Sequence, residues 1–203
     1  MVEQTAINAE KLVWAYCNGV FPMAETRNGT VNWYSPDPRA ILPLDQFHVS
    51  KSLRRRLKNN PFEITHDQAF REVMTLCAKP RGYERDTWIN DEIISGYSEL
   101  HEMGLAHSVE AWQEESGERK LVGGLYGVTI GGAYFGESMF SRATDASKVC
   151  LAHLVDHMND RGYTLLDVQF NSSHMAQFGV IDIPRDDYLK LLRMAIQQTV
   201  RWA

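Results

Sequence analysis

The sequence has no uninterrupted apolar run approaching the roughly 18 residues of a membrane-spanning helix. Its opening residues, with Glu3 and Glu10, lack the basic stretch and apolar segment of a secretion signal. Its three cysteines, Cys17, Cys77 and Cys150, lie far apart with no C-x-x-C pair, so neither a disulfide framework nor a zinc ribbon is indicated. A reducing, cytoplasmic setting without a membrane partner is the expectation. Also missing are G-x-x-x-x-G-K-[ST], G-x-S-x-G and H-E-x-x-H, which speaks against P-loop phosphate chemistry, a hydrolase nucleophile elbow and a zincin helix. His153 and His157 stand four apart, but no third ligand stands near them, so neither a metal nor a cofactor is expected. Positive charge is scarce as well. With 21 Lys and Arg against 26 Asp and Glu, the net charge is -5, and any nucleic-acid contact has to come from a local cluster.

What is present suits one sizeable core: 203 residues, 44% of them hydrophobic. Residues 9–18 read as a helix with Leu12, Val13 and Tyr16 on one stripe and Gly19 at its end. Residues 25–30 read as a polar loop, and Pro36 and Pro38 rule out regular helix after Trp33-Tyr34-Ser35. A boundary there gives a small N-terminal domain, 1–36, and a main domain, 37–203. The main domain alternates: a helix at 50–58, a strand at 62–65, and helices at 67–78 and 90–103. Asn90 is the N-cap of the last, with Asp91 and Glu92 in its first turn and Gly104 at its stop. Segments 106–113, 120–130 and 133–140 form the centre of an antiparallel sheet, and a helix at 145–159, a strand at 164–170 and a helix at 185–200 complete an α+β pattern.

The local cluster of cations exists. Lys51, Arg54, Arg55, Arg56 and Lys58 fall within eight residues that hold no acid. Helical spacing puts Lys51, Arg54, Arg55 and Lys58 on adjacent turns of one face while Leu53 and Leu57 share another. Such a run is either a solvated face or a contact for phosphates.

The segments WYSPDPRAIL (33–42), LVGGLYGV (121–128) and GESMFS (136–141) resemble the leucyl/phenylalanyl-tRNA-protein transferases. AHSVEAW (106–112), LLDVQ (165–169) and IPRDDYL (183–189) follow in the same order. The resemblance implies a GNAT-like acyltransferase domain, its central and mostly antiparallel sheet flanked by helices, preceded by a small N-terminal domain. It further implies transfer of leucine or phenylalanine, with methionine a further donor, from aminoacyl-tRNA to proteins beginning with Arg or Lys, marking them for N-end rule degradation. Met23 departs from the family, which usually has tryptophan after the Phe-Pro pair, and the N-terminal piece is shorter than in longer members.

An aminoacyl-tRNA ester is already activated, but the attacking α-amine, with a pKa near 8, is roughly nine-tenths protonated at pH 7 and needs a base or relay. Asp167 and Gln169 are the candidates. On an extended strand they share one face with Leu165, opposite Leu166, Val168 and Phe170. Taken alone, an aspartate in so apolar a strand is tied to an arginine or a backbone amide. The resemblance instead has Asp167 and Gln169 polarise the attacking amine, with Gln169 as an orienting relay. Glu137 by itself is a surface acid; by resemblance it lies at the floor of the amino-acid pocket and holds the donor's α-amino group. Trp88, Tyr97, Leu125, Tyr134, Leu154 and Met23 are the expected pocket lining, with ordinary core packing as the alternative for each.

Three other readings share parts of this pattern. A GNAT enzyme using acetyl-CoA needs a glycine-rich loop at the helix after the central strands, where this chain has SRATDASK (141–148) without glycine. That helix start could instead receive a tRNA phosphate, assisted by Lys148. A tRNA-dependent transferase acting on cell-wall precursors and a non-catalytic RNA-binding module are the others.

Overall fold

The computed structural model describes residues 7–80 and 86–203. Residues 1–6, with Glu3 and the start of the expected N-terminal domain, lie outside the described part, as do residues 81–85.

Helix α1 (Ala9–Cys17) starts where Asn8 Oδ1 accepts the Lys11 N–H at 2.8 Å, and it buries Leu12 and Tyr16. It stops at Gly19, whose φ of +72° suits a residue without Cβ. The polar loop then proves to be the turn of a hairpin, β1 (Phe21–Ala24) paired with β2 (Val31–Tyr34). Past the two prolines, β3 (Arg39–Ile41) enters the main sheet, a short strand that the proline-rich context conceals. Next come α2 (Lys51–Lys58), β4 (Glu63–His66), α3 (Phe70–Cys77) and α4 (Asp91–Glu102). Helix α3 begins later than the expected residue 67 because Asp67 adopts φ +59° and its carboxylate accepts the Ser108 N–H and meets His107 Nδ1. The remaining elements are β5 (Ala106–Glu115), β6 (Glu118–Ile130), β7 (Ala133–Ser141), α5 (Ala146–Arg161), β8 (Leu165–Gln169), α6 (Ser173–Ala176), β9 (Ile181–Ile183) and α7 (Arg185–Ile196).

Among the described residues, seven strands form the main sheet in the order β4-β5-β6-β7-β8-β3-β9. All neighbours are antiparallel except β7 and β8, which are joined by α5 as a parallel pair requires. Alternation along the strands divides the core in two. Tyr126, Phe135 and Leu165 pack with α1, α3, α4 and α7, while Leu125, Tyr134 and Leu166 pack with α5 and with Leu53 of α2. The glycines of LVGGLYGV permit this closeness. A Cβ on Gly123 would lie 2.5 Å from that of Ala146 at the start of α5, and one on Gly127 would lie 2.3 Å from the Phe135 carbonyl oxygen. Among the described residues, no helix is long and apolar enough to cross a membrane.

Candidate active site

Pairing between β7 and β8 ends at Phe135 and Asp167, and beyond that point both strands continue unpaired with each other. A cavity of about 260 Å³ opens there. Its apolar wall includes Leu125, Tyr134, Leu151, Leu154 and Leu166, and Glu137 is its acidic member. The volume lies just under the ~300–1,000 Å³ of sites for drug-sized ligands and suits one large apolar side chain.

Glu137 owes its position to a β-bulge. Gly136 pairs with Gly127 and Ser138 with Tyr126, so Glu137 is the extra residue of β7, and the bulge re-aims its side chain. The Tyr16 hydroxyl donates to Glu137 Oε1 at 2.7 Å, the Tyr97 hydroxyl to Oε2 at 3.0 Å, and the Gln169 Nε2 to Oε1 at 2.7 Å. The two phenol oxygens also meet each other, and because each carries one proton, a bond between them forms only at the expense of a bond to the ionised Glu137 or once Glu137 is protonated. Burial raises the Glu137 pKa to about 7, against the three donors that favour its ionised form, and the nearby Asp167 charge raises it further. Burial likewise pushes both tyrosines well above the usual phenol value, so they remain donors.

Strand β8 bears a matching irregularity. Ala40 pairs with Gln169 and Ile41 with Asp167, which leaves Val168 as an extra residue. Gln169 then takes φ +61°, and Phe170 N–H donates to the Val168 carbonyl at 2.7 Å, a tight γ-turn in a conformation that costs on the order of 1 kcal/mol or more for a non-glycine residue. This turn delivers the Gln169 carboxamide to Glu137.

Asp167 is fully buried and fully occupied. Oδ1 accepts from Arg39 Nε at 2.9 Å and from the Gln169 backbone N–H at 2.9 Å. Oδ2 accepts from Arg39 Nη2 at 2.6 Å and from the Tyr188 hydroxyl at 2.7 Å. The tie to an arginine and a backbone amide, which the residues alone indicated, is what the geometry contains, and Asp167 does not line the cavity.

Of the residues expected around the amino-acid pocket, Leu125, Tyr134, Leu154 and Glu137 come together at the cavity. Tyr97 does not line it: it is buried in the opposite half of the core, and only its hydroxyl reaches Glu137. Met23 and Trp88 are corrections too. Both pack against that same opposite half, tied through the Ala24 N–H bond to the Trp88 carbonyl. Trp88 faces a separate polar cavity of about 300 Å³ with Glu25, Asp86 and Thr87, and Ser138 borders both cavities. Tyr16 was legible only as a core residue on a helical stripe, and Arg39 and Tyr188 only as members of motifs.

The Ser50 hydroxyl caps α2 by accepting the Leu53 N–H, and Leu53 is buried. Lys51, Arg54, Arg55 and Lys58 are exposed, and among the described residues none of them forms an ion pair. Arg56 turns instead toward Asp145 at 3.8 Å, which also meets Lys148 at 3.2 Å. His157 packs on His66 and Trp202, and among the described residues no group of three or more His, Cys, Asp or Glu side chains is placed to hold a metal ion.

The chain matches the family model described as leucyl/phenylalanyl-tRNA protein transferase over residues 41–193, and the model of that family's N-terminal domain over residues 5–37. It is 50% identical over 189 residues to the leucyl/phenylalanyl-tRNA--protein transferase of Hyphomonas neptunium, covering 93% of this chain and 72% of that one. Its identity to the Salinibacter ruber protein of the same name is 47% over 196 residues, covering 97% and 83%. Among solved structures, the crystal structure of FemX is similar in fold, with a TM-score of 0.53 at 11% identity over 91% of this chain and 71% of that one.

Proposed function

The chain belongs to the leucyl/phenylalanyl-tRNA protein transferase family, and on that premise we propose that it moves leucine or phenylalanine from aminoacyl-tRNA to the N-terminal Arg or Lys of cytoplasmic acceptor proteins, marking them for N-end rule degradation. The observation that carries this reading is the apolar cavity with Glu137 at its edge. A leucyl or phenylalanyl side chain fills the space between Leu125, Tyr134 and Leu154, and the carboxylate of Glu137 holds the donor's α-ammonium group.

The acceptor amine attacks the ester carbonyl carbon. A C–N bond forms, the C–O bond to the terminal ribose breaks, and the proton lost by the amine ends on the leaving ribose oxygen. Gln169 Nε2 is committed to Glu137, which leaves its Oε1 to accept from the attacking amine and orient it. Asp167 serves by holding the Gln169 backbone N–H. The tRNA body is met by Lys51, Arg54, Arg55 and Lys58, whose charges are exposed and uncompensated among the described residues.

The test offers radiolabelled leucyl-tRNA together with an arginine-starting peptide, a cell-wall precursor, or no acceptor. Label on the peptide alone supports the reading. Label on the cell-wall precursor, or transfer that depends on acetyl-CoA, overturns it.

A further inference from the structure

We propose that Arg39 is a positioning residue for the transfer reaction, pinning Asp167 so that Asp167 in turn fixes the turn presenting the Gln169 carboxamide. This rests on the role given above to Gln169.

Arg39 is among the largest fully buried side chains, with 1% exposure. Its guanidinium is held on every side. Nε and Nη2 grip both oxygens of Asp167, and Nη1 donates to the Gly19 carbonyl at 3.0 Å. The rings of Phe21 and Tyr188 lie 4.8 and 4.5 Å from its central carbon. Burial, the largest single influence, would lower the Arg39 pKa, but the charge and hydrogen bonds of Asp167 together with the nearby Tyr188 and Glu137 outweigh it and raise the pKa. The two-pronged grip needs the planar fork of arginine, because a lysine offers only a point charge.

A carboxylate has about four lone-pair positions. Arg39 fills two of those on Asp167 and Tyr188 a third, and the fourth holds the Gln169 N–H. Asp167 therefore has no position left with which to take a proton from substrate, and of its hydrogen-bond partners Gln169 is the one bonded to Glu137 at the cavity. Gln169 sits at φ +61°, a conformation that persists only where its surroundings impose it. The Asp167 bond to its N–H, on a carboxylate that Arg39 keeps from turning, supplies that constraint.

The experiment is a double-mutant cycle on the full chain, with kcat for leucyl transfer normalised to the folded fraction from circular dichroism. Arg39→Lys should lower kcat by about tenfold or more with a smaller change in KM for leucyl-tRNA, since Tyr16 and Tyr97 still hold Glu137. Gln169→Ala should lower it by about a hundredfold. If Arg39 acts through Gln169, Arg39→Lys in the Gln169→Ala background lowers kcat no further. A full further loss there, or normal kcat in folded Arg39→Lys, overturns the inference. Should Arg39→Lys not fold, Tyr188→Phe takes its place in the same cycle, because it removes one Asp167 partner and keeps the ring; additivity of Tyr188→Phe with Gln169→Ala then overturns the inference and non-additivity supports it. A Gln169→Ala variant with full activity is a different failure: it removes the reading of the site itself.

Discussion

Gln169 Nε2 donates to Glu137 Oε1 at 2.7 Å although each residue stands two positions beyond the last paired residues of β7 and β8. Side chains close the gap that the backbones open. Of the two residues only Glu137 lines the cavity, and its protonation should govern what the cavity edge can bind.

With the Glu137 pKa near 7, the ionised form that attracts an α-ammonium group is dominant only above that pH. Binding of a non-hydrolysable leucyl-adenosine amide, followed by calorimetry, should weaken about tenfold per pH unit well below 7. In Glu137→Gln that dependence should be absent and binding weak throughout. Stability follows the opposite course. Folding raises this pKa from 4.5, so the folded state holds the extra proton and its advantage is lost as pH rises from about 4.5 to about 7. Glu137→Gln should therefore melt higher than the parent at pH 8 but not at pH 4; a uniform shift at both would contradict the assignment.

Tyr16 and Tyr97 each stabilise the ionised Glu137 through a hydroxyl donor. Tyr16→Phe and Tyr97→Phe should each move the binding transition to higher pH, leaving the strength at pH 9 close to that of the parent. Calorimetric titrations across pH 5.5 to 9 would reveal it, and a transition that stays in place would show that the phenols do not control the carboxylate.

Leu154 stands on α5 with its side chain at the cavity wall. Leu154→Phe should fill part of the space and penalise the larger donor, lowering kcat/KM for phenylalanyl-tRNA about 10- to 100-fold more than for leucyl-tRNA. Equal losses for the two donors would mean that the side chain binds elsewhere.

On α2, Arg54→Ala with Arg55→Ala should raise KM for leucyl-tRNA and reduce the slope of log affinity against log salt by about 2, one for each lost phosphate contact. Reaction with a leucyl-adenosine fragment, which lacks the tRNA body, should be unaffected. If the fragment suffers equally, the substitutions act on the fold and not on the RNA.

The central sheet was legible because 106–113, 120–130 and 133–140 carry enough β-rich residues and turn signals to stand without tertiary help, and helix α4 because Asn90 and Gly104 mark its ends. The short strands β3 and β9 were not, because three residues carry too little periodicity and become strands only by pairing with β8 and with each other. The same limit applies to the site. A bulge is a property of two strands in register, so no feature of GESMFS alone could show that Glu137 turns into a cavity, or that Met23 and Trp88 lie in the other half of the core. Asp167 shows the reverse. Its apolar neighbours in LLDVQ indicated burial and a tie to an arginine or a backbone amide; the structure supplies both, although the arginine, Arg39, stands 128 residues away.

Gly19 gives Arg39 its third acceptor, Phe21 gives it a ring, and Tyr16 gives Glu137 a proton donor, and all three lie in the segment that matches the family's N-terminal model. Residues before 38 and residues after it thus share one set of bonds, and the seam between them is stitched through the proposed reaction centre. Recombination between family members at that seam would cut through these contacts, so a hybrid that is to keep them would have to inherit Tyr16, Gly19 and Phe21 together with Arg39, Asp167 and Glu137 as one unit.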